Sequence, residues 1–159
     1  MKRCFGIEMK DITEVQIENM EAFYRGIYTG VSVCAEHERL MIVETKEERE
    51  KLSEYLQSYA CFEEEYSLLY LEKAEQKELF ADFGFVAEGY ELFLYEELIA
   101  AFQINAGVDE QISMALMQIE EDLVAVEYGK NPIYFIDKQK NVLIKKYAEA
   151  YEITVEFLE

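Results

Sequence analysis

The chain has 159 residues, 51% of them hydrophobic and 14% aromatic, with 34 acidic against 15 basic side chains and a formal net charge of −19. This composition supports a sizeable core and excludes intrinsic disorder, which requires few apolar and aromatic residues. The charge argues against direct binding to nucleic acid or to an anionic membrane surface, since both demand a positive field.

The length suits a single domain over residues 1–159. One proline and seven glycines leave no stretch that reads as a flexible linker. Spread evenly over the roughly 8,000 Å² that a folded chain of this size exposes, the excess charge amounts to only about two negative charges on a standard patch of about 800 Å². Duplex DNA, with one charge per ~1.7 Å of axis, is several times denser. Mimicry of DNA would therefore require clustering that the average does not supply.

Cys4, Cys34 and Cys61 are odd in number, far apart and set in or beside apolar stretches, as reduced thiols of a cytoplasmic protein are. Lys2 and Arg3 resemble the start of a signal peptide, but Glu8, Lys10 and Asp11 arrive before a hydrophobic segment can form. No apolar run reaches the length of a membrane-spanning helix.

In chain order, residues 3–9 read as a strand. Asp11 and Thr13 offer helix caps, and a helix over 13–26 would align Ile17, Met20, Tyr24 and Ile27, with Gly26 and Gly30 marking its end. Val31–Ala35 and Leu40–Val43 flank a polar turn and predict a hairpin. Thr45 followed by Glu48 is a capping box for a helix over 46–59, whose Leu52, Tyr55, Leu56 and Tyr59 fall on one side. Tyr66–Leu71 fits a strand or a helical turn, and 75–84 is weakly helical. Over 91–103 the spacing of Leu92, Tyr95, Leu98, Ile99 and Phe102 predicts a helix, although Tyr90–Tyr95 alone would suit a strand. Residues 104–107 read as a loop. Asp109 opens a helix to about 121, in which Met114 and Met117 read as core filling.

Leu123–Tyr128 reads as a strand leading into the clearest pattern in the chain. Ile133–Ile136 form an apolar strand, Asp137–Asn141 a polar turn, and Val142–Ile144 a second strand. Tyr151, Ile153, Val155 and Phe157 then alternate with Glu152, Thr154 and Glu156, the period of two that gives a sheet one apolar face. Lys130, Lys138, Lys140, Lys145 and Lys146 make this region locally basic and read as strand-edge lysines that deter pairing with other chains. The sum is an α+β fold, an antiparallel or mixed β-sheet with amphipathic helices packed mainly on one face.

Chemical signatures are sparse. The chain has no glycine-rich phosphate loop, no nucleophile elbow and no calcium loop. His37 is the only histidine. A Cys34–His37 nucleophile pair is poorly spaced, because the two point to opposite faces of an extended strand. A zinc site from Cys4, Cys34, Cys61 and His37 lacks the usual close ligand pairs. The simplest reading of His37 is a turn residue between Glu36 and Glu38. No catalytic residue, metal or cofactor is assigned.

The 12 tyrosines, with no tryptophan, are the other oddity. Tyrosine beside acids suits a protein-binding surface, since the ring supplies area and the hydroxyl a directed hydrogen bond. Tyr66, Tyr70, Tyr90 and Tyr128, with the run Glu63, Glu64 and Glu65, are the candidate binding residues. The expected function is a small acidic, non-enzymatic protein-binding module for a basic protein partner. An inhibitor or immunity protein acting on a basic nuclease toxin has this profile. The alternatives are a structural protein that self-associates as a homodimer, and an enzyme using His37 or a carboxylate pair.

Overall fold

A computed structural model describes all residues from 1 to 159. In chain order the elements are β1 (Lys2–Met9), α1 (Met20–Gly30), β2 (Ala35–His37), β3 (Leu40–Val43), α2 (Lys46–Ser58), β4 (Phe62–Leu71), β5 (Ala74–Gln76), β6 (Gly84–Val86), β7 (Leu92–Tyr95), β8 (Ile99–Ala106), α3 (Asp109–Ile119), β9 (Leu123–Glu127), β10 (Ile133–Asp137), α4 (Asn141–Ala150) and β11 (Thr154–Leu158). The fold is α+β, with four helices and two antiparallel sheets ordered β2-β3-β1-β4-β7-β6 and β11-β8-β10-β9-β5. The chain divides into two compact units. The N-terminal one comprises Lys2–Tyr70 and Val86–Phe93, and the C-terminal one Met1, Leu71–Phe85 and Leu94–Glu159.

In the N-terminal unit the period of two along β1 sorts its side chains. Phe5, Ile7 and Met9 join Met41 and Val43 on the face that receives Phe23 and Ile27 of α1 and Leu52 and Leu56 of α2. Cys4, Gly6 and Glu8 point to the opposite face. Helix α2 begins where the capping box lies: Thr45 Oγ1 accepts from Glu48 N–H at 3.2 Å. Helix α1 starts later than the sequence suggests. Asp11 caps only a single turn over Ile12–Glu14, accepting from Thr13 N–H at 3.0 Å. The helix proper waits for Asn19, whose Oδ1 accepts from Ala22 N–H at 3.0 Å. Gly26 is accordingly an interior residue of α1, not its end.

In the C-terminal unit α3 and α4 share one face of the second sheet. Ile119 and Ile144 meet Phe102, Val126 and Ile136 there, while Ala115, Ala148 and Ile153 close the contact between the helices. Glu127 is the one buried charged side chain. Its carboxylate accepts from the Met1 ammonium and, at 2.9 Å, from Glu72 N–H.

Several expectations are corrected. Val142–Ile144 belong to α4 and not to a strand: Ile144, Tyr147, Ala148 and Tyr151 recur at helical spacing, and Val142 is left exposed. The expected helix over 91–103 is two strands joined by a short turn at Glu96–Leu98. Phe93 and Leu94, which a helix would place off its apolar stripe, are both buried in the sheet arrangement. Residues 75–84 form β5 and a turn at Phe80–Asp82, and 104–106 continue β8. Met114 and Met117 are exposed, Met117 at 76%, because the inward stripe of α3 runs through Ala115 and Ile119. None of the five lysines lies on a strand. Lys138 and Lys140 sit in a turn and Lys145 and Lys146 on α4. Lys140 pairs with Asp122 at 2.6 Å.

Candidate functional site

Strand β4 carries most of the residues singled out above. Glu63, Glu64 and Glu65 are all exposed and occupy its N-terminal half. The ring of Phe93 in β7 lies 5.4 Å from that of Tyr70, which places β7 beside the C-terminal half of β4. With only four residues, β7 cannot flank all ten of β4. The acidic half therefore has a strand neighbour, β1, on one side only.

On that half the register sets Glu64 directly opposite Glu8, a like-charge pair that costs stability on its own. Tyr66, opposite Gly6, offsets it. Its hydroxyl oxygen lies 2.9 Å from Glu8 Oε2 and 3.1 Å from Glu64 Oε2, so one phenolic proton serves two carboxylates. Burial first, then these two hydrogen bonds, push the ionisation of Tyr66 far above the ordinary tyrosine range. Arg39 adds a weaker contact to Glu8 at 3.6 Å. The two other exposed acids, Glu63 and Glu65, flank this arrangement, with Glu65 taking a hydrogen bond from Ser53 of α2 at 3.3 Å.

The remaining candidates do not join this group. Tyr90 stands in the tight turn after Gly89, at a φ of 67°, and is 90% exposed. Tyr128 belongs to the C-terminal unit, where it donates to Glu75, a carboxylate also paired with Lys77 at 3.2 Å. Tyr70 is in the same strand as Tyr66 but faces a cavity.

That cavity, of about 160 Å³, is lined by Cys4, Cys34, Ala35, Glu44, Tyr70, Glu91 and Phe93, all within the N-terminal unit. It lies on the face of β1 that bears no helix. Cys34 is exposed as a residue, yet its thiol is set into the wall and donates to Ile42 C=O at 3.2 Å. Burial first, then the fields of Cys4 and Glu44, raise its pKa to about 11. Burial likewise raises that of Cys4. At the rim, Lys2 Nζ pairs with Glu44 at 3.0 Å. Such thiols are poor nucleophiles, because the thiolate is the reactive form.

His37 ends β2, half-buried, with Nε2 4.0 Å from Glu38, and is not among the cavity residues. Cys61 lies in the helix-side core with Leu52 and Leu56, away from the other two thiols. No three His, Cys, Asp or Glu side chains are arranged to hold a metal ion. No helix is long and apolar enough to cross a membrane.

Sequence reasoning missed Glu8, Glu44 and Glu91 as site residues, and weighed Cys4 and Cys34 only as metal ligands or a nucleophile before setting them aside. For Cys4 and Glu8 a signal exists, since β1 alternates and Cys4, Gly6 and Glu8 share a face. Glu44 and Glu91 carry none, because they come from segments that meet only after folding. Compared with known proteins, the chain matches no family model, no curated protein and no solved structure.

Proposed function

We propose that the chain is a non-enzymatic module that binds a basic protein, using the acidic half of β4 as its docking edge. The observation that carries this reading is the consecutive exposed run Glu63–Glu65 on a strand half with no further strand beside it. An extended basic segment matches such an edge twice, through backbone pairing and through charge. The same acids repel a second copy of the edge, which disfavours self-pairing there.

Overall charge supports the reading only locally. The N-terminal unit has 17 acidic against 8 basic side chains, net −9, and the C-terminal unit 17 against 7, net −10. Negative charge is thus not gathered into one unit, and recognition rests on the strand and not on bulk composition. Within this class, an inhibitor or immunity protein for a basic nuclease toxin is the finer form of the proposal.

The test takes a basic protein captured by the tagged chain, purifies it, and measures association kinetics. Binding should slow steeply as salt rises. The triple variant Glu63→Lys, Glu64→Lys, Glu65→Lys should lose at least tenfold in affinity. Binding that ignores both salt and the triple variant rejects the proposal.

A further inference from the structure

We infer that the cavity walled by β1, β4 and the 86–93 segment is a seat for a single alkylammonium group, the side chain of a lysine on the basic partner. This rests on the module reading above and names the contact that would anchor it.

Four observations converge. The ionisable side chains lining the cavity are Glu44, Glu91, Cys4, Cys34 and Tyr70, none of which can carry positive charge, so an anion finds no counter-charge inside. Two aromatic rings, Tyr70 and Phe93, stand 5.4 Å apart and tilted by 41°, giving adjoining walls whose faces attract a cation and whose area suits methylenes. The volume of about 160 Å³ is below the roughly 300 Å³ at which drug-sized pockets begin, and suits one side chain. Finally, the chain's own Lys2 already places an ammonium on Glu44 at the rim, 3.0 Å away, while its side chain stays more than half exposed. Glu44 therefore accepts an ammonium in this setting, and the interior, with Glu91, is left for a second one.

The probe is n-butylammonium chloride, titrated into the ¹⁵N-labelled chain and followed by amide shifts, with 1-butanol as the neutral isostere. The expected result is saturable shifts at Cys34, Ala35 and Phe93 in the millimolar range with the ammonium, and none that saturate with the alcohol. Glu44→Gln with Glu91→Gln should weaken binding at least tenfold. Lys2→Met, which removes the competing ammonium and no wall of the cavity, should tighten it severalfold. Equal binding of the alcohol, absence of saturable shifts, or indifference to Lys2→Met overturns the inference, and none of these depends on the double variant folding. A basic partner bound with salt-dependent kinetics and unaffected by the cavity variants also overturns it, while leaving the module reading intact. Butylammonium bound with no basic partner captured supports the cavity and sinks the module.

Discussion

The hydroxyl of Tyr55 occupies the space in which a side chain on Gly26 would begin: a Cβ built there would stand 2.2 Å from the phenolic oxygen. The same hydroxyl donates to Phe23 C=O at 2.8 Å, so α1 and α2 are joined by a hydrogen bond passing over a bare glycine. Phe23 and Tyr55 stack at 5.6 Å on the same contact. Gly26→Ala must push the two helices apart or expel the phenol. We expect a loss of about 1–3 kcal/mol, the range for overpacking a well-filled contact. Tyr55→Phe keeps the ring and removes the bond, at about 1 kcal/mol. Urea denaturation of both variants checks the ranking. The double variant should lose less than the two singles together, because removing the hydroxyl relieves part of the clash.

Gly26 also shows why the start of the chain was only partly legible. In sequence a glycine near the end of an apolar pattern reads as a helix stop, and nothing local reveals that a tyrosine 29 positions later needs the space. The second helix was legible because its cap, acids and apolar stripe agree, as at Thr45, Glu48 and Leu52. Strands with strict alternation were legible too, β1 and β11 among them. The misreadings fell where a short apolar run satisfies two periods. Leu92–Phe102 fits a helical stripe only if Phe93 and Leu94 are ignored, and Val142–Ile144 looks like a strand only if Tyr147, Ala148 and Tyr151 are. Of the candidate site, the acidic run and Tyr66 were visible as residue types. Their partner Glu8 and the cavity were not, since both arise from strand register and from the return of residues 86–93.

Helix α3 separates burial from hydrophobicity. Ile119 is fully buried while Met114 and Met117, of similar size, face outwards. Ile119→Ala should cost about 2–5 kcal/mol by leaving a cavity. Met114→Gln with Met117→Gln should stay within about 0.5 kcal/mol of the parent, as surface substitutions do. Thermal unfolding of the two variants side by side decides it. Comparable losses would place the methionines in the core after all.

At Tyr66 the prediction concerns charge. Tyr66→Phe leaves Glu8 and Glu64 facing each other across β1 and β4 without a shared proton. Both ends of the triad are partly solvated, so the loss should be modest, about 0.5–1 kcal/mol at low salt. It should shrink as salt screens the pair. Glu64→Gln in the same background should restore most of the loss. If Tyr66→Phe is neutral at low salt, or if Glu64→Gln restores nothing, the phenol is not holding the carboxylates.

Stability above neutral pH should be limited by groups held in their neutral forms. Burial, then the neighbouring negative groups, raises Cys34 from its ordinary 9.0 to about 11. Burial, then the hydrogen bond to Glu36, raises Tyr28 from 10.0 to about 12. For a group whose folded pKa is raised, the stabilising contribution is complete below the unfolded value and is lost as pH climbs through the folded one. The Tm should therefore fall first between about pH 9 and 11 for Cys34, then between about 10 and 12 for Tyr28. Growing self-repulsion of a chain already at −19 adds a general decline, so variants must separate the causes. Cys34→Ser should flatten the first step and leave the second, and Tyr28→Phe should do the reverse. An independent reading comes from alkylation: at pH 8 a thiol two units above its ordinary pKa has roughly a hundredfold less thiolate, and iodoacetamide should label Cys34 correspondingly slowly despite its exposure. Rapid labelling at pH 8, or a first step that survives Cys34→Ser, would show that the cavity does not hold this thiol neutral.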